Sequence, residues 1–507
     1  MIGVGGDEGL AQLEQSPLAS ASPHTYGENP TRRRCESQAR AKIDHSSPEV
    51  RSVTKPPRPF RPHGKPAEPP PPPPGLGARL AAATLLADVA GGGHSLEERL
   101  VDPAAGRLND LEPRDRALAR SIVTVSLRRL GTLRGALARF LETGLPKKAV
   151  GLEWILITGA AQILYLDVPD HAAVDLAVHA VKRDSRTAPF AALANAVLRN
   201  IARNRDDILA PGDPFADTPA WLAARWRKTY GEDTARAIVL AHGCEPTLDL
   251  TVKSDPVGWA ERLGGIVLAT GSVRLTTHTA IADLAGYADG EWWVQDAAAS
   301  IPARLLRAEP GERIADLCAA PGGKTAQLAF AGATVLAVDK SAERLKRLSA
   351  NLSRLRLAAE VSVGDAMTCQ PGLCDAVLLD APCTSTGTIR RHPDVAWTKR
   401  SGDVASLAAL QAKMLDRALT FLRPGGRLVY CTCSLEPEEG PEQISRFLDK
   451  HPEFERQPAV VAEIGGEPGW VTGDGDIRTL PTHLDLLPPG QRGLDGFYAA
   501  RLVHKPI

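Results

Sequence analysis

The sequence predicts a multidomain protein: an all-α N-terminal domain, a small α+β connector, and an α/β domain built on an open, mostly parallel sheet. Three observations carry that expectation. A length of 507 residues corresponds to about three folded units at roughly 150 residues each. Apolar residues recur at helical spacing from Ala78 to about Arg205, and from Trp292 onward short apolar strands alternate with amphipathic helices.

Composition bounds the function. The 41 prolines exceed the usual share of about 5% and point to an unpacked segment, although 43% hydrophobic residues leave ample material for a core. Sixty Lys plus Arg balance 60 Asp plus Glu, which excludes a nucleic-acid binder that relies on bulk positive charge and leaves only local basic patches. Eight cysteines are too few for a disulfide scaffold, and none forms a CxxC pair, so no structural metal is expected and the compartment reads as reducing. With no secretory leader in the first thirty residues and no apolar run of about 18 residues, a cytoplasmic protein without a membrane partner is expected.

Residues 1–77 are rich in Ser, Pro, Arg and Gly, lack a hydrophobic period, and close on six prolines, Pro69 to Pro74. Such a stretch cannot bury enough apolar surface to offset its ordering entropy and reads as a disordered tail. Residues 78–210 carry the helical periodicity, as in RDRALARSIVTVSLRRL and LEWILITGAAQILYLDV. Residues 211–290 combine a helical stretch holding Trp221, Trp226 and Tyr230 with short runs, LDLTVK and SVRLTT, that read as strands. In residues 291–507 the expected strands are 313–317, 334–339, 360–365, 375–380, 427–434 and 496–503. Three of the first four end in an acid, and in an open α/β sheet the ligand sits beyond the carboxyl ends of the strands.

The first of these strands runs into DLCAAPGGKTAQLA. A Walker A loop needs glycine where Cys318 stands, and GxGxxG is absent, so a P-loop nucleotidase is excluded. What remains is a small-residue turn, Cys318, Ala319, Ala320, Pro321, Gly322, Gly323 and Lys324, where the glycines admit a ligand close to the backbone. Asp339 ends the second strand where a ribose diol expects a carboxylate, and Asp365 ends the third, in reach of an adenine amino group. Singly, each acid reads as a cap or surface residue. As a series after this turn they fit an adenosyl ligand without a pyrophosphate, S-adenosyl-L-methionine.

The fourth strand delivers DAPCTSTGTIRRHPDVAW and the next TCSLEPEE, so Asp380, Cys383 and Cys433 converge at the same edge. A lone cysteine is usually a small buried hydrophobe. Two thiols at the ends of adjacent strands suit pyrimidine C5 methylation: a thiolate added at C6 makes C5 enamine-like, C5 takes a methyl group from a sulfonium donor, and a second base removes the C5 proton. A free thiol with a pKa of about 8.5 is mostly protonated at neutral pH, so the nucleophile needs an electropositive neighbour, for which Lys324 is the nearest by motif. Asp380 can hydrogen-bond the base at N3 or its exocyclic amine.

These motifs resemble the RsmB family of ribosomal RNA cytosine-5 methyltransferases, within the NOP2/Sun group. The resemblance rests on DLCAAPGGKT, VDKS, GDA, LLDAPCTSTGTIRRHPDVAW and YCTCSLEPEE, and extends to RDRALAR, LYLDVPDHAAVDLAV and NAVLRN, which are similar to a NusB-like RNA-binding module. It implies a Rossmann-like class I methyltransferase domain at 291–507 and a NusB-like domain at 78–210. It also implies Cys433 as nucleophile, Cys383 as the residue needed for release, and residues 318–324, Asp339, Asp365 and Asp380 around S-adenosylmethionine. Cys431 and Thr384 are small departures from the family pattern, and Cys369 and Cys374 match no catalytic motif.

The expected substrate is 16S ribosomal RNA, or an assembly intermediate in which the target base is unstacked and C6 is exposed. Basic clusters at Arg225, Arg227 and Lys228, and at Arg390, Arg391, Lys399 and Arg400, are candidates for phosphate contacts. A monomer is expected. Two alternatives are a transfer RNA methyltransferase, against which the helical module argues, and a non-catalytic NusB-like RNA-binding factor, which has no need of two thiols.

Overall fold

The computed structural model describes residues 72–101, 108–276, 279–488 and 490–505; residues 1–71 of the expected tail lie outside these. The helical layer holds α1 (Leu76–Leu86), α2 (Leu96–Val101), α3 (Pro113–Arg128), α4 (Leu130–Arg139), α5 (Leu152–Tyr165), α6 (Asp170–Lys182), α7 (Ala191–Arg203) and α8 (Arg205–Leu209). The first helix begins at Leu76, two residues inside the expected tail, because Leu76 and Ala78 are both fully packed. Helix α5 is apolar almost all round, the mark of a central helix rather than a surface one. Gly159 lets it approach its neighbours: a Cβ there would meet Leu198 of α7 at 2.8 Å.

Residues of the connector divide between two settings. Helices α9 (Ala220–Tyr230) and α10 (Glu232–His242) bury Leu222, Trp226 and Ile238 against Ile389, Val395 and Leu435 of the α/β region. The strands β1 (Leu248–Val252), β2 (Ile266–Val267), β3 (Val273–Leu275) and β4 (Trp292–Val294), with α11 (Pro256–Leu263), form a separate antiparallel sheet in the order β2-β3-β1-β4. Trp292–Val294, which the sequence reading places at the head of the α/β domain, thus pairs with β1, Leu250 opposite Val294. Its Trp292 fills the small core beside Trp259 and Leu250.

After α12 (Ile301–Leu305), the large sheet runs β5 (Arg313–Leu317), β6 (Thr334–Asp339), β7 (Glu360–Val363), β8 (Cys374–Asp380), β9 (Leu422–Thr432), β10 (Phe454–Arg456), β11 (Ile477–Thr479) and β12 (Phe497–His504). Its order is β10-β12-β9-β8-β5-β6-β7, with β11 also on β12; β5 to β9 are mutually parallel and β12 is antiparallel to β9. The chain steps outward from β5 to β7 and returns on the other side at β8, so the order reverses beside β5. A crevice opens at such a point, beyond the strand ends.

Both faces of the sheet are covered, which is why its strands read as continuous apolar runs. Val377 and Leu379 point to one face with Met414 and Leu415 of α16 (Ser401–Leu419) and Ile444 of α17 (Pro441–Lys450). Ala376 and Leu378 point to the other, with α12 and α13 (Gly323–Phe330). The stripe Leu345, Leu348, Leu352 and Leu355 of α14 (Ala342–Leu355) packs over Ala326 and Ala337. A short helix α15 (Val395–Thr398) precedes α16.

Two strand ends differ from the sequence reading. Strand β7 stops at Val363 and not at Asp365, because its partner β6 ends at Asp339, opposite Val363. Strand β9 starts earlier, at Leu422, and stops at Thr432 rather than Ser434; its neighbour β8 ends at Asp380, and Pro382 soon after cannot donate to the ladder. Cys433 therefore sits in the turn just past its strand.

Candidate active site

The turn after β5 is shaped by backbone conformations that few residues tolerate. Cys318 lies at φ 63° and Gly322 at φ 100°, in the left-handed region. A Cβ on Gly322 would also lie 2.6 Å from Leu348 Cγ, so glycine is required twice over. Asp339, buried at the end of β6, accepts the Ala320 N–H at 3.2 Å and the Ser341 N–H at 2.9 Å, with Arg344 at 3.4 Å. Its carboxylate thereby closes the turn from the second strand. Asp365 is exposed beyond β7 and accepts the Met367 N–H at 2.9 Å.

Lys324, in the first turn of α13, points back to the sheet edge. Its Nζ lies 2.8 Å from Asp380 Oδ2 and 4.9 Å above the Phe497 ring. Burial opposes the charge on Lys324, but Asp380 outweighs it and holds the ammonium above its usual pKa. The other oxygen of Asp380 accepts Cys431 S–H at 3.4 Å. Asp380 is thus anchored from two sides at the mouth between β5, β8 and β9.

The two expected thiols meet: Cys383 Sγ and Cys433 Sγ are 3.5 Å apart. Their contact sets their ionisation in opposite directions. The hydrogen bond from Cys383 is the largest influence lowering Cys433, against burial, while the same bond and burial push Cys383 well up. Lys324, the expected electropositive neighbour, also lowers Cys433, but it is not the main influence. Its charge is neutralised by Asp380, and its pull on Cys433 is the weakest of the named influences, so the thiolate is favoured mainly by its partner thiol. Four other described cysteines lie outside the pair: burial raises Cys318 to about 12, and it also raises Cys431, Cys369 and Cys374.

Two acids escaped the sequence reading. Asp316, wholly buried one residue before the end of β5, accepts Thr325 Oγ1 at 2.6 Å and is raised to about 7 by burial. Its Oδ1 is buried without a hydrogen-bond partner. Glu439, in the PEE run, is also fully buried. Nothing in their spelling separates them from surface acids; only their place beside DLC and TCS could have drawn notice.

The basic clusters are largely spoken for. Arg225 pairs with Glu436 and, at 2.6 Å, with Glu438. Arg390 is 1% exposed and bonds Asp296 at 2.9 Å, while Arg391 pairs with Asp495. Arg390 is thus an interior strut, contrary to the expected phosphate contact; Arg225, Arg391 and Lys399 are half-buried, and Arg227, Lys228 and Arg400 are exposed. Among the described residues no helix is long and apolar enough to cross a membrane, and no group of His, Cys, Asp or Glu is arranged to hold a metal ion.

Comparison with known proteins places these features in a family context. The family model for 16S rRNA methyltransferase RsmB/F matches residues 303–503, and the NusB family model matches residues 76–203. The chain is 36% identical to ribosomal RNA small subunit methyltransferase B of Serratia proteamaculans over 417 residues, covering 78% of this chain and 91% of the relative. The protein of that name from Vibrio cholerae is 35% identical over 447 residues, covering 84% and 97%. The crystal structure of PH0851 shares the fold, with TM-score 0.63 at 23% identity over 85% of this chain and 98% of that one.

Proposed function

The chain belongs to the RsmB/F family of 16S rRNA methyltransferases, and on that premise we propose that it methylates C5 of a cytosine in 16S ribosomal RNA by way of a covalent adduct on Cys433. The single observation that carries the mechanism is the 3.5 Å contact of Cys383 and Cys433 beyond the ends of β8 and β9. S-adenosyl-L-methionine, the methyl donor of this family, supplies an electrophilic methyl group when bound.

The residues present fit that donor. Gly322 and Gly323 let the turn pack tightly on Leu348 and Gln295, and Asp316, near the end of the strand that leads into it, keeps a buried Oδ1 without a hydrogen-bond partner. Residues 318–324 with Asp339 and Asp365 would hold the donor, and Asp380 would stand between it and the base. Cys433 adds to C6 as thiolate, which charges C5. Lys324 holds the Asp380 carboxyl in place, 2.8 Å away, for a hydrogen bond to the cytosine edge. After methyl transfer Cys383 takes part in removing the C5 proton, and the C6–sulfur bond breaks to free Cys433.

The substrate is taken to be an assembly intermediate or an opened loop rather than a closed duplex, since C6 must be unstacked. We take the protein to act as a cytoplasmic monomer. Bisulfite sequencing of 16S ribosomal RNA from cells with and without the gene tests the reading. One protected cytosine should become convertible when the protein is absent; loss of protection in transfer RNA alone would contradict it.

A further inference from the structure

The two thiols stand on separate turns, one after β8 and one after β9, and a single side chain grips both turns. Glu439 Oε1 and Oε2 accept the Thr384 N–H at 3.0 and 3.2 Å, and Oε2 accepts the hydroxyls of Thr384 and, at 2.5 Å, Ser434. Thr384 follows Cys383 and Ser434 follows Cys433. Gln411 of α16 completes the shell, donating 3.1 Å to Glu439 Oε1 and 2.9 Å to the Pro382 carbonyl. Tyr430 and Thr432 of β9 donate to the Glu439 carbonyl at 2.8 and 3.1 Å.

A fully buried carboxylate with only neutral donors is expensive to keep, and burial does raise its pKa. Each partner is itself a buried donor that no water reaches, so an apolar side chain here would leave several unsatisfied at once. A carboxylate serving one element would need one element's donors. This one takes its donors from the residue after each thiol.

We propose that Glu439 is a positioning residue that holds Cys383 and Cys433 in contact. The inference rests on the reading of these cysteines as the two working thiols. Glu439 touches neither sulfur in a hydrogen bond; it acts through Thr384 and Ser434. Its negative charge also adds to the influences that keep the proton on Cys383.

Thiol proximity can be read without the methylation reaction. Diamide accepts two electrons and two protons from a pair of thiols, which become a disulfide while diamide becomes the hydrazine. Sulfurs 3.5 Å apart need to close only to about 2.05 Å, so Cys383 and Cys433 in the full-length protein should join readily, as followed by peptide mass spectrometry. Glu439→Ala should slow that closure by about tenfold or more, and Glu439→Gln, which keeps the shape and an acceptor oxygen, by about threefold or less. Asp476→Asn, at another buried acid in the same domain, should leave the rate unchanged. Methylation kcat should follow the disulfide rate, with KM for S-adenosylmethionine within about twofold.

An unchanged rate in folded Glu439→Ala overturns the proposal, as does an equal slowing in Asp476→Asn, which would mean general loosening. If the alanine variant does not fold, Thr384→Ala decides: a slower rate supports the tie and an unchanged one ends it. Should Cys433→Ala and Cys383→Ala both remain active, the reading of the thiols fails while the disulfide rates still answer for Glu439.

Discussion

The turn after β5, proposed as the donor's cradle, and the thiol pair after β8 and β9 lie at one sheet edge but are built by opposite means. The cradle is local: a run of seven consecutive residues, bent at Cys318 and Gly322, with Asp339 binding its backbone from the next strand. The thiol pair is assembled from distant pieces, Cys383 and Cys433 being 50 residues apart, and it depends on the buried side chains of Glu439 and Gln411. A site formed from one turn tolerates change in its neighbours. A site formed by two turns is only as good as the contacts between them.

That contrast can be broken most sharply at the nucleophile. Cys433→Ala should abolish methylation altogether, with the melting temperature close to the parent's; residual turnover within about a hundredfold would move the nucleophile elsewhere. Next in size is Lys324→Met, which strips Asp380 of its charge-assisted partner, worth about 1.5 to 3 kcal/mol, and should reduce kcat/KM roughly a hundredfold or somewhat less. If the cradle and thiol ends were independent, this change would weaken donor binding alone.

On the cradle side, Asp339→Ala should weaken S-adenosylmethionine about ten- to a hundredfold by titration calorimetry, because the turn loses its carboxylate clamp and the ribose a partner. Asp316 sharpens the comparison through stability. A folded-state value of about 7, raised from 3.8, means that the folded protein binds this proton more tightly than the unfolded chain. Stability contributed by the neutral acid is therefore lost as pH rises from about 4 through about 7, by roughly 3 to 4 kcal/mol at most. Asp316→Asn should remove that fall in urea titrations of the unliganded protein at pH 5 and pH 8. Identical pH dependence in both proteins would show that Asp316 is not held neutral. The smallest effect is expected from deleting residues 1–71, whose sequence has no hydrophobic period and no site motif; methylation should stay within about tenfold of the full chain.

How much of this was legible beforehand follows the same division. Strands at 313–317 and 334–339 were readable to the residue, since compact apolar runs end on a turn or an acid. The first half of β9 was not, because RPGGR spells a turn; only its pairing of Leu422 with Cys374 across an irregular register keeps it extended. Strands β10 and β11 are three residues each and exist through pairing with β12, which no local pattern announces. Trp292–Val294 was not read as a strand, because its partner lies 40 residues upstream.

At the site, the cysteines and Asp380 stood out by motif, and adjacent strands bring them together as read. Asp316 and Glu439 did not, because burial of an acid depends on neighbours supplied by the whole fold. The same limit explains Arg390, whose charge read as part of an RNA-facing cluster and is instead buried against Asp296. Charge can be counted in a sequence, but its partner cannot.

The most direct test of the division of labour between the thiols is a denaturing gel of each cysteine variant incubated with 16S ribosomal RNA and S-adenosylmethionine. Without Cys433 no bond to C6 forms, so Cys433→Ala should leave the RNA free. Without Cys383 attack and methyl transfer proceed but the C5 proton stays, so Cys383→Ala should accumulate a covalent protein–RNA species that the double variant lacks. A covalent species in Cys433→Ala and none in Cys383→Ala would reverse the roles and contradict the account.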